Sequence, residues 1–465
     1  MDLTKRTLLN LTIAAILAMG IWFRVSQYGD LRLSVGMPDT GTFIESANAP
    51  IFSLENFSSR RLFTTNLLYR LSLGKECPAP IISIPFEGNE IDRSILECFS
   101  SIAVIQNLLS VIGWSLLALT TARWLRSPIY KILSMITILS FGFSPQIAEW
   151  DSILSSEALS ISLLAFMLAL LLESVFRITH YEEGASSNRA TNFLFFFWML
   201  IFLLWCFTRD VQIYAIAVTL LLAAPLLYFR EIRRIKILAP TLIILGVAFL
   251  LGVKTAQASD RWQLSMTHVM NYHILPYPSR VDAMINKGMP SPESVEEYNI
   301  WLNAHANKDY GTFLVTHPGF IIKTIFDLAG YLNSDFLQPY FNLEKNQFHD
   351  QMQVIGEMLH PQTNGVYLLS FLLVISLIRS SITQENKTTM TWAWLAVWIF
   401  VYGSISLLLS LFGDIDGTRR HIYPSVELFR LSNWIFLFVH LDLMNPIFPN
   451  SKPDSAKSIV YPSVK

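Results

Sequence analysis

Asp39 stands in Met37-Pro38-Asp39-Thr40, just after the first long apolar run. A carboxylate at a membrane boundary can act as general base on a sugar or lipid hydroxyl. Read alone, Pro-Asp-Thr is a helix-start sequence, and capping is the plainer role. Its company favours chemistry. Glu45 follows less than two turns on, Arg60 and Arg61 come next, and Asp151, Glu157, Arg209, Asp210, Arg419, Arg420 and His421 fall at the ends of later apolar runs. Charge beside hydrocarbon is costly unless it is paired or used.

Each of these groups has a bland reading beside the sharp one. Asp151 can cap a helix, favoured by the helix dipole, whereas Glu157 lies about a turn inside an apolar helix, where a carboxylate faces a cavity or a partner. Thr208-Arg209-Asp210 reads as a turn between two spans. It is either a local ion pair or a ligand contact in which Arg209 meets an anionic group and Asp210 holds it in place. Between Gly413 and His421, Asp414-Ile415-Asp416 is a weak metal signal that lacks the later ligands of a calcium loop. Arg419 and Arg420 oppose the usual sidedness of a short outer loop. Guanidinium donors suit bidentate binding of phosphate, and snorkelling is the alternative.

The elements that must position these residues are membrane helices. The 465 residues are 52% hydrophobic and only 15% charged, which marks a polytopic membrane protein. A net charge of -1 leaves no electrostatic footprint for nucleic acid, so no such partner is expected. Three cysteines are too few for a disulfide scaffold. Cys77 and Cys98 share one outer loop and are either paired or two free thiols; Cys206 reads as an apolar filler. There is no Gly-rich phosphate loop, dinucleotide Gly pattern, His-Glu-x-x-His or Gly-x-Ser-x-Gly.

Runs of spanning length recur from residues 7–23 to residues 426–443, about ten in all. The first has a charged start like a signal peptide but lacks cleavage chemistry, and is read as a retained span. Lys and Arg in alternate short loops place both termini in the cytoplasm. The expected fold is thus an all-α integral membrane protein with two large extracytoplasmic loops. Residues 1–253 form the transmembrane core and include the catalytic first outer loop, 24–100. Residues 254–362 make an extracytoplasmic lid, 363–444 the C-terminal transmembrane helices, and 445–465 a cytoplasmic tail. Within the first loop, Phe63, Leu67, Leu68 and Leu71 make one apolar face, as in a helix lying in the membrane interface. The helix-like stretches of the second loop are 292–307 and 320–332.

On Met37-Pro38-Asp39-Thr40, the Arg60-Arg61 segment, the acidic run Trp150 to Glu157 and the large outer segment after the seventh span, the chain resembles the GT-C superfamily of polytopic glycosyltransferases. That group includes protein O-mannosyltransferases and the aminoarabinose transferases of lipid A. Arg261-Trp262, Ile274-Leu275-Pro276, Gly288-Met289-Pro290, Thr316-His317-Pro318 and Arg419-Arg420-His421 look like patterns in uncharacterised bacterial members. The resemblance implies a polyprenyl-phosphate-linked sugar donor, inverting transfer outside the bacterial inner membrane, and Asp39 as base. The acceptor is a protein, a lipid or a glycan. Arg60 or Arg61, with Arg419, Arg420 and His421, would stabilise the leaving lipid phosphate. Many relatives carry two adjacent acids where this chain has Asp39-Thr40, which leaves a divalent metal in doubt. Glu45, Asp151 and Glu157 all stay candidates for the second carboxylate. The rivals are a secondary transporter, a flippase for lipid or polysaccharide, and a non-catalytic envelope-assembly subunit; no inverted repeats or paired broken helices favour a transporter.

Overall fold

A computed structural model describes residues 3–28, 31–74, 81–86, 89–180, 189–229, 232, 235–338, 347–413 and 418–445. Cys77, Asp414, Asp416 and the tail from 446 onward lie outside the described residues. In chain order the first half comprises α1 (Leu3–Tyr28), β1 (Val35–Gly36), α2 (Thr40–Ser46), α3 (Glu55–Ser58), α4 (Phe63–Tyr69), β2 (Ile81–Phe86), β3 (Asn89–Ile95), α5 (Ser100–Trp124), α6 (Pro128–Phe143), α7 (Pro145–Ala148), α8 (Ser156–Thr179), α9 (Arg189–Cys206) and α10 (Tyr214–Ala223). The second half comprises α11 (Leu238–Ala258), α12 (Arg261–Val269), α13 (Pro278–Ile285), α14 (Val295–Ala304), α15 (Ala306–Thr316), α16 (Pro318–Leu328), α17 (Gln347–Leu359), α18 (Gly365–Gln384), α19 (Lys387–Gly413) and α20 (Thr418–Met444).

Among the described residues eight helices are long and apolar enough to cross a membrane, and they mark a multi-pass membrane protein. A ninth span results if α6 and Pro145–Ser152, bent by 46°, count as one. Pro145 explains the bend: a residue before proline is driven out of the helical region, and Ser144 is extended at ψ 157. The tenth expected run lies in α20, which carries Arg419, Arg420, Glu427, Arg430 and Asp442. Partners inside the bundle hold these charges. Glu427 accepts from Arg430 Nη1 at 2.6 Å and from His360 Nδ1 at 2.5 Å, and Asp442 accepts from the backbone N–H groups of Arg126 and Ser127.

Helix α8 runs through the centre, buried along nearly its whole length against α5, α9, α19 and α20. Its approach to α5 depends on Gly113, where a Cβ would lie 2.7 Å from the Ser162 carbonyl oxygen. Backbone cannot turn aside as a flexible side chain can. Gly113→Ala is therefore expected to force the pair apart and cost about 1–3 kcal/mol, read as a lower Tm with every charged residue unchanged.

The fold is helical as expected, apart from a small three-stranded antiparallel sheet of order β1-β3-β2, with Val35 opposite Ile95 and Ile84 opposite Ile91. The β-branched run Ile81-Ile82-Ser83-Ile84 favours the extended chain. The apolar face expected over Phe63 to Leu71 does not fall on one continuous helix. The helix spans Phe63–Tyr69 and then tightens into a 3-10 turn, and it starts no earlier because Asn66 Nδ2 and Ser59 Oγ donate to the Arg61 carbonyl and fold the preceding residues into a turn. Thr64, Thr65, Asn66 and Tyr69 face inward, and Leu67 and Leu71 are exposed.

Helices α12 to α15 enclose a small second core that includes Met270, Met284, Trp301 and Phe313. It meets the bundle where Tyr310 Oη donates to the Phe412 carbonyl at 3.3 Å and Phe320 packs near the Phe412 ring. Cys98 is disulfide-bonded, while Cys206 is free and buried.

Candidate functional site

The segment before α2 is stitched onto the entrance of α8. Val35 forms a parallel bridge with Ile153, Leu154 N–H donates to the Val35 carbonyl at 2.9 Å, and Thr40 Oγ1 donates to the Leu154 carbonyl at 3.0 Å. Phe43, Tyr69, Phe99 and Leu154 make the apolar support beneath α2. This anchoring sets Asp39 above the first turn of α8, where Glu157 sits. Although Asp39 occupies the N-cap position of α2, its side chain makes no capping hydrogen bond. It turns instead to two arginines.

One comes from the same loop. Thr64 N–H and Oγ1 donate to the carbonyls of Phe207 and Leu204, at 3.1 and 2.6 Å, and bring the start of α4 against the end of α9. There Arg61 Nη2 lies 3.4 Å from Asp39 Oδ1, its Nε donates to Thr42 Oγ1 at 2.8 Å, and its guanidinium covers the Phe43 ring at 4.1 Å. Three contacts on three sides fix its plane.

The other arginine arrives from 381 residues away. Arg420, in the first turn of α20, donates from Nη2 to Asp39 Oδ2 at 2.7 Å and places Nε 3.3 Å from Glu157 Oε1. Cations at a helix N-terminus work against its dipole. The two carboxylates offset that here, and the dipole at the start of α8 in turn favours Glu157 as an anion. Arg209 completes the group, with Nη1 3.6 Å from Glu157 Oε1 and Nη2 donating to His421 Nδ1 at 2.8 Å. Since arginine only donates, the neutral His421 ring carries its proton on Nε2.

Exposure separates the two acids. The Asp39 side chain is 33% exposed and Glu157 only 3%, so Asp39 can meet a substrate while Glu157 orients the guanidinium groups from behind. Burial pushes the Asp39 carboxyl up, but Arg420 and then Arg61 outweigh it and hold it below its ordinary 3.8.

The remaining candidates sit elsewhere. Glu45 is exposed on α2, and Arg60 is exposed beside Arg61. Asp151 is buried and bound to Arg24 Nη2 at 2.9 Å and Ser162 Oγ at 3.2 Å, a tie between α1 and the bundle. Arg419 donates to the Asp335 carbonyl. Asp210 does not hold Arg209 as a local pair: it binds Arg261 Nε at 2.8 Å, and Arg261 Nη1 also donates to the carbonyls of Phe57 and Ser59. Arg261 thus joins the start of α12 to the first loop. Only the sequence pattern Arg261-Trp262 pointed to it. Nothing beyond its place at the end of the first span marked Arg24.

Among the described residues no group of three or more His, Cys, Asp and Glu side chains is placed to hold a metal ion. Arg420 stands between the two carboxylates of the cluster, so this donor set does not fit a divalent cation. The charge facing a substrate comes from guanidinium.

No family model and no curated protein matches the chain. Among solved structures it is similar to the archaeal oligosaccharyltransferase AglB from Archaeoglobus fulgidus in complex with an inhibitory peptide and a dolichol-phosphate, at 10% identity and a TM-score of 0.43, over 95% of this chain and 51% of that one. It is also similar to the Archaeoglobus fulgidus oligosaccharyltransferase in the apo form, at 11% identity and a TM-score of 0.41, over 92% of this chain and 50% of that one. The chain spans about half the length of these structures, and a likeness of this degree says nothing about activity.

Proposed function

We propose that the protein is a membrane glycosyltransferase that moves a sugar from a polyprenyl-phosphate-linked donor to an acceptor hydroxyl, with inversion and with Asp39 as general base. The observation that carries the reading is a solvent-reachable carboxylate held between Arg61 and Arg420. Base and phosphate-binding groups belong to one site, in which the acceptor hydroxyl would meet one face of the anomeric carbon while the phosphate leaves from the opposite face. The acceptor O–H gives its proton to the Asp39 carboxylate as its oxygen bonds to the anomeric carbon. The bond from that carbon to the phosphate oxygen breaks, and the lipid phosphate leaves with the electron pair. Arg61 and Arg420 stabilise the charge that develops on it.

One consequence follows for pH. In the free enzyme Asp39 is paired with two guanidinium groups and is a weak base, ionised down to below 3.8. A bound donor phosphate competes for those groups and adds negative charge, which raises the pKa of Asp39 in the complex. The acid limb of kcat/KM, which reports the free enzyme, is therefore expected below that of kcat, which reports the complex. Coincident limbs in the two profiles would contradict the competition.

The deciding experiment supplies the purified chain, in nanodiscs, with a panel of short polyprenyl-phosphate sugars and candidate protein, lipid and glycan acceptors, and follows products by mass spectrometry. Sugar transfer from one donor class is the expected result. Donor crossing a vesicle membrane with no transferred product would replace this reading with a transporter or flippase; neither activity would indicate an assembly subunit.

A further inference from the structure

A second cationic site lies at the end of the bundle opposite Asp39. Helix α1 runs from there to Arg24, and α5 runs back from the first loop to finish there. Arg6 on α1, Arg123 at the end of α5 and Lys131 near the start of α6 line a cavity of about 600 Å³, with Leu9, Ile13 and Leu119 as apolar wall. Asn10 adds a polar side chain, and no carboxylate is among the lining residues.

The arrangement of these cations is informative. Arg123 already has an acid partner, with Nη1 3.0 Å from Glu173 Oε1 in a neighbouring cavity, and its guanidinium lies 5.7 Å from the Trp124 ring. Lys131 lies in the first helical turns of α6, where the dipole disfavours a cation. Asp442 on α20 is the acid whose field reaches it. An anion in the cavity would satisfy Arg6 and Lys131 together. Helix α1 buries very little of its apolar length against protein, so the wall it provides continues into the surface that faces lipid. A free inorganic anion would leave that wall unused. An amphiphile would not.

We infer that this cavity binds the phosphate headgroup of an anionic phospholipid in the leaflet opposite the Asp39 site, with the acyl chains along α1. Basic pockets between membrane helices suit such headgroups. The lipid would act as a clamp, holding the exposed helix α1 against α5 and α6.

The test uses the full chain, stripped of lipid in neutral detergent, and follows its thermal unfolding. Phosphatidylglycerol is expected to raise Tm by several degrees, and phosphatidylcholine or inorganic phosphate to leave it unchanged. In the doubly substituted protein, Arg6→Gln with Lys131→Gln, the rise should fall by at least half, whereas Asp39→Asn should keep it. An equal rise from phosphatidylcholine, a rise from inorganic phosphate alone, or a full rise in the double variant would overturn the assignment. Native mass spectrometry of the wild type adds a reading that does not depend on the variant folding. Retained anionic phospholipid is expected, and preferential retention of neutral lipid would also overturn it.

Discussion

Asp39→Asn is expected to lower turnover by roughly 10² to 10⁴-fold, the usual worth of a positioned general base. The amide matches the carboxylate in shape but has no charge and little basicity. Its oxygen can keep one of the two arginine contacts, and its NH₂ must then face the other guanidinium. Losing the Asp39 charge removes one of the two carboxylates that the described residues set against Arg61, Arg209 and Arg420, so the cluster becomes more positive. An anionic donor should then bind at least as tightly. A collapse in kcat with KM for the donor unchanged or lower is the expected signature, and it separates loss of the base from loss of binding. Glu45→Gln, on an exposed part of the same helix, provides the control and should behave as wild type. If Asp39→Asn turns over at the wild-type rate, Asp39 is not the base.

How much of this was legible in the sequence depends on the range of the interaction. Span positions follow from local apolar runs, and the helices over Leu3–Tyr28, Ser100–Trp124 and Lys387–Gly413 coincide with them. The break before Pro145 is a local rule too, although a continuous apolar run hid it. Arg419-Arg420 could be singled out because two cations on the wrong side of a membrane, or in the first turn of a helix, need compensation. Which acid compensates them is another matter. Choosing Glu157 over Glu45 and Asp151 requires knowing that Val35 bridges Ile153 and that Arg24 already occupies Asp151, and no spacing encodes either. The same holds for Asp210, whose sequence neighbour Arg209 was the obvious partner and whose actual partner, Arg261, lies 51 residues on. Strands β2 and β3 are short and lie among longer helix-forming apolar runs, and their pairing with β1 joins residues about 60 apart, which no local pattern encodes.

Arg420→Ala is expected to cost about 10²- to 10³-fold in kcat/KM, comparable to removing one donor that stabilises a developing oxyanion. Unlike Asp39→Asn, it should raise KM for the donor as well as lower kcat, since the guanidinium meets the phosphate both before and during its departure. Arg420→Lys restores the charge without the planar fork that reaches Asp39 and Glu157 together, so it should recover binding more than turnover. Because Arg420 touches Glu157, substitutions at the two positions should not add. Glu157→Gln in the Arg420→Ala background is expected to do less harm than in wild type, since the guanidinium that Glu157 helps to orient is already gone. Tm measured alongside separates a folding defect from a catalytic one: Arg420→Ala leaves buried Glu157 with Arg209 as its remaining close guanidinium and should lower Tm, whereas the added Glu157→Gln removes the buried charge and should restore part of it. A variant with wild-type kcat/KM after loss of Arg420 would show that the leaving phosphate is held by other groups, and with it the link between Asp39 and the far end of the chain would lose its catalytic meaning.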